Sequence, residues 1–216
     1  MEIAKRYSAL EEVLSSSIHG FGAFLGGIEL AVLVTLSSIY GNAWNIVSTA
    51  IFGASIILLY TASSLYHGIP FEKAKRVLEK IDHIAIYYLI AGSYTPFLLA
   101  NMRNATGWTM FGVIWGLAIL GTFLKIFIGA NGSKLWSILL YLAMGWLIIF
   151  ASGTLFKILS ATAITFLCLG GAFYTFGVIF YVKKNKKYMH AIWHLFVLLG
   201  TIMHFFAVLF SCVVAK

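Results

Sequence analysis

The stretch HAIWHLFVLLGTIMHFFAVLFSCV, residues 190–213, decides the fold. It contains no Asp, Glu, Lys or Arg, and it follows directly on the basic run KKNKKYM at residues 183–189. An α-helix needs about 20 apolar residues to cross the hydrocarbon of a bilayer, and this segment is long enough. Its apolar residues run continuously instead of alternating, which argues against a barrel strand. It also carries His190 and His194 at its start, four apart and therefore on one face of the helix.

Working outward, six further apolar segments lie at about 19–40, 46–67, 82–100, 107–127, 134–151 and 158–182. Turn-forming residues separate them at Gly41-Asn42, Gly68 to Pro70, Asn101 to Asn104 and Asn131-Gly132-Ser133. The 216 residues are 61% hydrophobic and 10% charged, with mean hydropathy +0.95. A soluble domain of this length cannot cover so much apolar surface. The expectation is an all-α membrane protein: a single seven-transmembrane helix bundle over residues 1–216. Pro96 falls inside the third span and predicts a kink there. Glycines such as Gly26-Gly27, Gly112, Gly116 and Gly170-Gly171 suit close helix packing in lipid.

Residues 1–17 carry Glu2, Glu11 and Glu12 and lack a continuous apolar core, so they do not read as a cleavable signal peptide. Ile3, Tyr7, Leu10 and Leu14 share one helical face, which predicts a short amphipathic helix lying on the membrane surface. The net charge of +8 resides in the connections between spans, where it acts as a topology signal and not as a nucleic-acid footprint. With the amino terminus inside, twelve lysines and arginines fall on the inner side and only Arg103, Lys157 and Lys216 on the outer side. That asymmetry predicts a cytoplasmic amino terminus and an external carboxyl terminus. Cys168 and Cys212 both lie inside apolar runs, which argues against a disulfide framework.

This topology brings four chemistry-bearing residues to the inner end of the bundle. His67 closes the second span, Asp82 opens the third, and His190 and His194 open the seventh. Polar groups are costly in a membrane, so such a cluster marks a functional site. Two histidines four apart are a common way for one helix to supply two metal ligands. His67 completes a three-histidine set with one tetrahedral position open, the pattern of catalytic rather than structural zinc. Asp82 then suits contact with the metal-bound water or with a ligand, and Ser63, one turn before His67, suits a hydrogen bond to a substrate carbonyl or to Asp82. The residues alone leave open a second reading, in which each histidine merely bonds a neighbouring helix. His83 points about 100° away from Asp82 and reads as an interfacial residue. His204 lies about 15 Å beyond His194 along the helix axis, too far to share a metal, and reads as a bond to another helix. Glu29, midway along the first span, is open to being protonated, to pairing with His204 or to lining a polar path. His19 reads as a cap or headgroup contact.

Ser63-x3-His67, the segment from Asp82 to Ala91-Gly92-Ser93-Tyr94-Thr95-Pro96-Phe97, and His190-x3-His194 resemble the progestin and adipoQ receptor superfamily. The short amino terminus with Ser17-Ile18-His19-Gly20 resembles its bacterial branch, the hemolysin III proteins. The resemblance covers nearly the whole chain. It implies a seven-helix fold with an inner amino terminus. It also implies zinc held by His67, His190 and His194, with Asp82 and Ser63 close to the metal-bound water. The superfamily sits within a wider group of proposed membrane hydrolases that includes alkaline ceramidases, and the bacterial members carry a cytolysin name and proposed links to membrane lipid homeostasis. Three functions follow as expectations: a zinc-dependent hydrolase of a membrane lipid amide or ester, a non-enzymatic sensor, or a pore. The few buried charges do not line a path through the membrane, which leaves the pore least supported. The bacterial branch and the charge pattern imply a multi-pass protein of the bacterial inner membrane.

Overall fold

The computed structural model describes residues 7–127, 134–183 and 186–212. Ile3, Lys5, Arg6, the turn at Asn131 to Ser133, Lys184, Val213 and Lys216 lie outside the described residues. Among the described residues there is no strand, and seven helical segments are long and apolar enough to cross a membrane.

Helix α1 (Ala9–Tyr40) starts at Ser8, whose side chain and that of Glu11 form a reciprocal capping box. Among the described residues, the separate surface helix expected over residues 1–17 is not seen: residues from Ala9 onward are the first turns of α1, continuous with the first span. Leu10 and Leu14 are exposed, whereas Tyr7, assigned to the same face, is buried. The opposite face of α1 is buried, and it is lined by Glu11, Ser15, His19, Gly22, Gly26, Glu29, Leu33 and Ser37. Small residues along this stripe let α2 (Ala43–Gly68) approach closely: a Cβ on Gly26 would stand 2.7 Å from Cγ2 of Ile56.

Helix α3 (Glu72–Thr95) begins ten residues before the expected apolar boundary. Residues 72–81 are charged, but no breaker separates them from the span, so the helix extends beyond the apolar stretch at this end. At Pro96 the helix widens into a π-helical turn (Pro96–Asn101). Proline has no N–H to continue the α ladder, and the wider turn absorbs that lost bond. Helix α4 (Ala105–Phe127) follows.

The fifth span is broken: α5 (Lys134–Trp146), a 3-10 segment (Leu147–Ala151) and α6 (Ser152–Ile158). The break is held by Tyr94, whose hydroxyl accepts from the Ile148 N–H at 2.8 Å. The same hydroxyl donates toward the carbonyls of Met144 and Gly145, at 2.8 and 2.7 Å. Backbone groups freed inside a membrane must be satisfied by protein, and Tyr94 does so here. Helices α7 (Ala161–Val182) and α8 (Met189–Cys212) complete the bundle.

The packing runs in a ring. Helix α1 lies against α2 and α8, α2 against α3, α3 against α4 and α5, α5 against α7, and α7 against α8. The core is built chiefly on α2, α3 and α8, with Phe52, Ile56, Tyr60, Tyr87, Phe97 and Val208 fully enclosed. The start of α1, the end of α2 and the start of α8 meet at one end of the bundle, and the lysine-rich start of α3 joins them there.

Candidate metal centre

Three histidine rings converge at that end. His67 stands on the last turn of α2, and His190 and His194 on the first two turns of α8. All three are buried, at 3%, 7% and 2% exposure. Their Nε2 atoms face one another: His190 is 2.9 Å from His194 and 3.3 Å from His67. One ligand atom from each of the three lies within 4.8 Å of the others. A tetrahedral ion with bonds of about 2.0–2.1 Å separates its nitrogen ligands by about 3.4 Å. Three imidazole nitrogens gathered at this spacing form a donor set able to hold a metal ion.

The outward nitrogens show why these rings point inward. His67 donates from Nδ1 to Oε2 of Glu12 at 2.6 Å, which leaves the Nε2 lone pair free to face the cluster. Glu12 is held in turn by the Lys75 ammonium, 2.7 Å from its other oxygen, and Lys75 also stands over the Tyr66 ring at 5.2 Å. His194 places its Nδ1 2.8 Å from the ring of His19, which is itself 2% exposed. The ring of Tyr7 stacks on His190 with centroids 4.5 Å apart. Glu11 accepts the backbone N–H of Tyr188 at 2.6 Å, just before α8, where Tyr188 adopts a positive φ of 64°. The amino-terminal end of α1 and the residue before its cap thus contact two of the three histidines and fasten the entry to α8.

Asp82 and Ser63, the two residues expected beside the metal, are also at this end. Ser63 is buried one turn before His67 on α2, and its hydroxyl is directed to the Asp82 carboxylate. Asp82 is half-buried on α3, and its carboxylate interacts electrostatically with His67, His83 and Ser63. Ser63, Asp82, His190 and His194 share the wall of one cavity of about 340 Å³. The cavity runs between α3, α5, α6 and α7. It reaches the bundle surface where Trp146, Ile149 and Phe156 are exposed. Its lining is mainly apolar, with Leu59, Ile86, Leu89 and Phe97 on one side and Leu167 and Val178 on the other.

Other sequence readings are revised here. His19 is not a cap or headgroup contact: it is a buried ring against His194. His83 lies at the cavity wall, with Nδ1 2.6 Å from the Glu79 carbonyl and Nε2 3.4 Å from the Tyr181 hydroxyl. Glu29 is placed near Tyr60 and Tyr174, and His204 packs against Tyr174 and Gly170. Sequence reasoning missed Tyr7 and Glu12 as neighbours of the histidines. A usable signal was present: Glu11, Ser15, His19, Gly22, Gly26 and Glu29 recur at helical spacing, marking a polar and small-residue stripe that lipid would not accept.

The chain matches the family described as "Haemolysin-III related" over residues 7–205. It is 45% identical to the "Hemolysin-3 homolog" of Bacillus subtilis (strain 168), across 96% of this chain and 97% of that protein. It is 44% identical to the "Hemolysin-3" of Bacillus cereus, across 93% and 91% respectively. A more distant likeness, 27% identity over 92% of this chain and 83% of the relative, links it to the human "Monocyte to macrophage differentiation factor". With seven apolar helices and a family match spanning nearly its whole length, the chain is a multi-pass membrane protein that belongs to the haemolysin-III related family.

Proposed function

We propose that the protein is a zinc-dependent hydrolase of a membrane lipid amide or ester, working from the inner leaflet of a bacterial plasma membrane and serving lipid homeostasis. The observation that carries this reading is the three-histidine donor set opening directly into an apolar cavity that reaches the lipid-facing surface. Three neutral nitrogen donors with room for a fourth ligand suit zinc, which when bound polarises a carbonyl and acidifies water.

The chain's own residues supply the rest. The apolar wall takes up the acyl chain and excludes water from the reacting centre. Asp82, on the wall opposite α8, accepts a proton from the attacking water and returns it to the leaving nitrogen or oxygen. The buried Ser63 hydroxyl, beside Asp82, holds that carboxylate in place or donates to the substrate carbonyl. Glu12 and His19 keep the His67 and His194 rings in the orientation that presents Nε2.

Two measurements test this. Plasma mass spectrometry on detergent-purified protein should find about one zinc per chain in the wild type and a loss in His67→Ala. Incubation with N-acyl amides and lipid esters should release free fatty acid, detected by mass spectrometry. Asp82→Asn should keep its zinc while turnover falls by about 10²–10⁴-fold. An Asp82→Asn protein as active as the wild type would sink the mechanism.

A structural metal in a non-catalytic sensor is the competing reading. It is favoured by the tethering of the histidines to α1 through Glu12, His19 and Tyr7. On that reading His67→Ala lowers the thermal midpoint and no lipid in the panel is cleaved.

A further inference from the structure

The cavity has a second polar pole far from the histidine cluster. His204 lines it, and His204 is ten residues beyond His194 on the same helix, about 15 Å along the axis. His204 is 9% exposed; its ring interacts with the Leu167 backbone carbonyl of α7, which occupies at most one of its two nitrogens, and no other hydrogen-bond partner among the described residues reaches it. A buried polar side chain left in that state is costly, and a native structure accepts the cost where a ligand or water completes it. The ring is deliberately accommodated: a Cβ on Gly170 would stand 2.1 Å from its Cδ2. Tyr174, also on the cavity wall, packs edge-on to His204 with centroids 5.2 Å apart. Its hydroxyl is engaged with Thr201 at 2.8 Å, and Thr201 also receives the Tyr60 hydroxyl at 2.7 Å. That network holds Tyr174 in place and leaves His204 as the group with unused hydrogen-bonding capacity.

Between the two poles the lining is mainly apolar, including Val197 on α8 and Gly171 and Val178 on α7. An unsubstituted hydrocarbon chain filling this slot would leave one ring nitrogen of His204 unsatisfied in the middle of the bundle.

We infer that the cavity selects an acyl chain carrying an oxygen function near its middle, a hydroxy- or oxo-acyl chain, with His204 as the residue that recognises that oxygen. This rests on the lipid reading of the cavity given above and names its substrate class more closely. With the carbonyl carbon at the histidine cluster, the spacing sets the position of the oxygen. Tetrahedral carbon bonds of about 1.5 Å give a rise of about 1.25 Å per methylene. A separation of about 15 Å therefore corresponds to about twelve carbons.

The test measures binding and needs no turnover. Trp146 and Trp193 line the cavity, so their fluorescence reports its occupancy. Detergent-purified, zinc-loaded protein is titrated with stearate, 12-hydroxystearate and 6-hydroxystearate. The expected result is about tenfold tighter binding of the 12-hydroxy acid than of stearate, with no gain for the 6-hydroxy isomer. His204→Phe should bind stearate as the wild type does and lose the preference, and His204→Leu serves if the larger ring prevents folding. Equal affinity of the wild type for stearate and the 12-hydroxy acid overturns this inference alone. So does a preference that survives loss of the imidazole. Failure of all three acids to bind overturns the lipid reading of the cavity and this inference with it.

Discussion

At the scale of single residues, the contact that most shapes the site is the one between Glu12 and His67. A carboxylate on the outer nitrogen of a metal-binding histidine fixes the tautomer and raises the basicity of the inner nitrogen. Glu12 is itself clamped by Lys75, so its charge is set in place rather than free to swing. Glu12→Gln keeps the shape and removes the charge. It should weaken zinc binding by about 10–100-fold, measured by competition with a chromogenic chelator, while the helical signal stays unchanged. The loss of a second-sphere contact differs in kind from the loss of a ligand: His67→Ala should abolish stoichiometric metal. Sequence carried His67, His190 and His194 openly, because the spacing of a helical pair and the ends of apolar runs are local properties. Glu12 was hidden because the adjacent pair Glu11-Glu12 reads equally well as a solvated surface.

At the scale of elements, both irregular helices border the cavity. Tyr94, two residues before the π-helical turn at Pro96, bonds both ends of the 3-10 break after Trp146. Removing the Tyr94 hydroxyl leaves the Ile148 N–H and two carbonyls without that partner in a water-poor interior. Tyr94→Phe should therefore destabilise the protein by about 1–3 kcal/mol, read as a lower midpoint in a detergent thermal melt. The α1–α2 contact gives a second element-scale expectation. Any side chain at Gly26 collides with Ile56, so Gly26→Val should cost about 1–3 kcal/mol or prevent accumulation in the membrane. The proline kink was readable from sequence because proline acts on its own turn. The break in the fifth span was not, because the residue that stabilises it lies 54 positions earlier.

At the scale of the whole molecule, the histidine cluster and the lysine-rich start of α3 share one end of the bundle, and the charge rule predicts that this end faces the cytoplasm. Thiol labelling tests this in a background with Cys168 and Cys212 replaced. An impermeant maleimide on intact cells should label Thr106→Cys, and it should reach Glu72→Cys only after lysis. The reverse pattern would place the candidate site outside and remove any role in inner-leaflet chemistry. The cavity also has a molecular-scale consequence. Its exposed mouth is flanked by the apolar side chains of Trp146, Ile149 and Phe156, a rim that suits the hydrolase reading proposed above.

The sequence by itself determined the class of this protein, the number of its spans and the helices that carry the histidines. Apolar run length, helical period and loop charge are all properties of neighbouring residues, and each can be read without knowing the fold. Only the tertiary structure decided which faces meet. It turned the polar stripe of α1 inward, set Glu12 on His67 and His19 on His194, and opened a slot that joins the cluster to His204. Those outcomes depend on how seven helices rotate about their own axes to bury small and polar residues against one another, and no single segment holds that information.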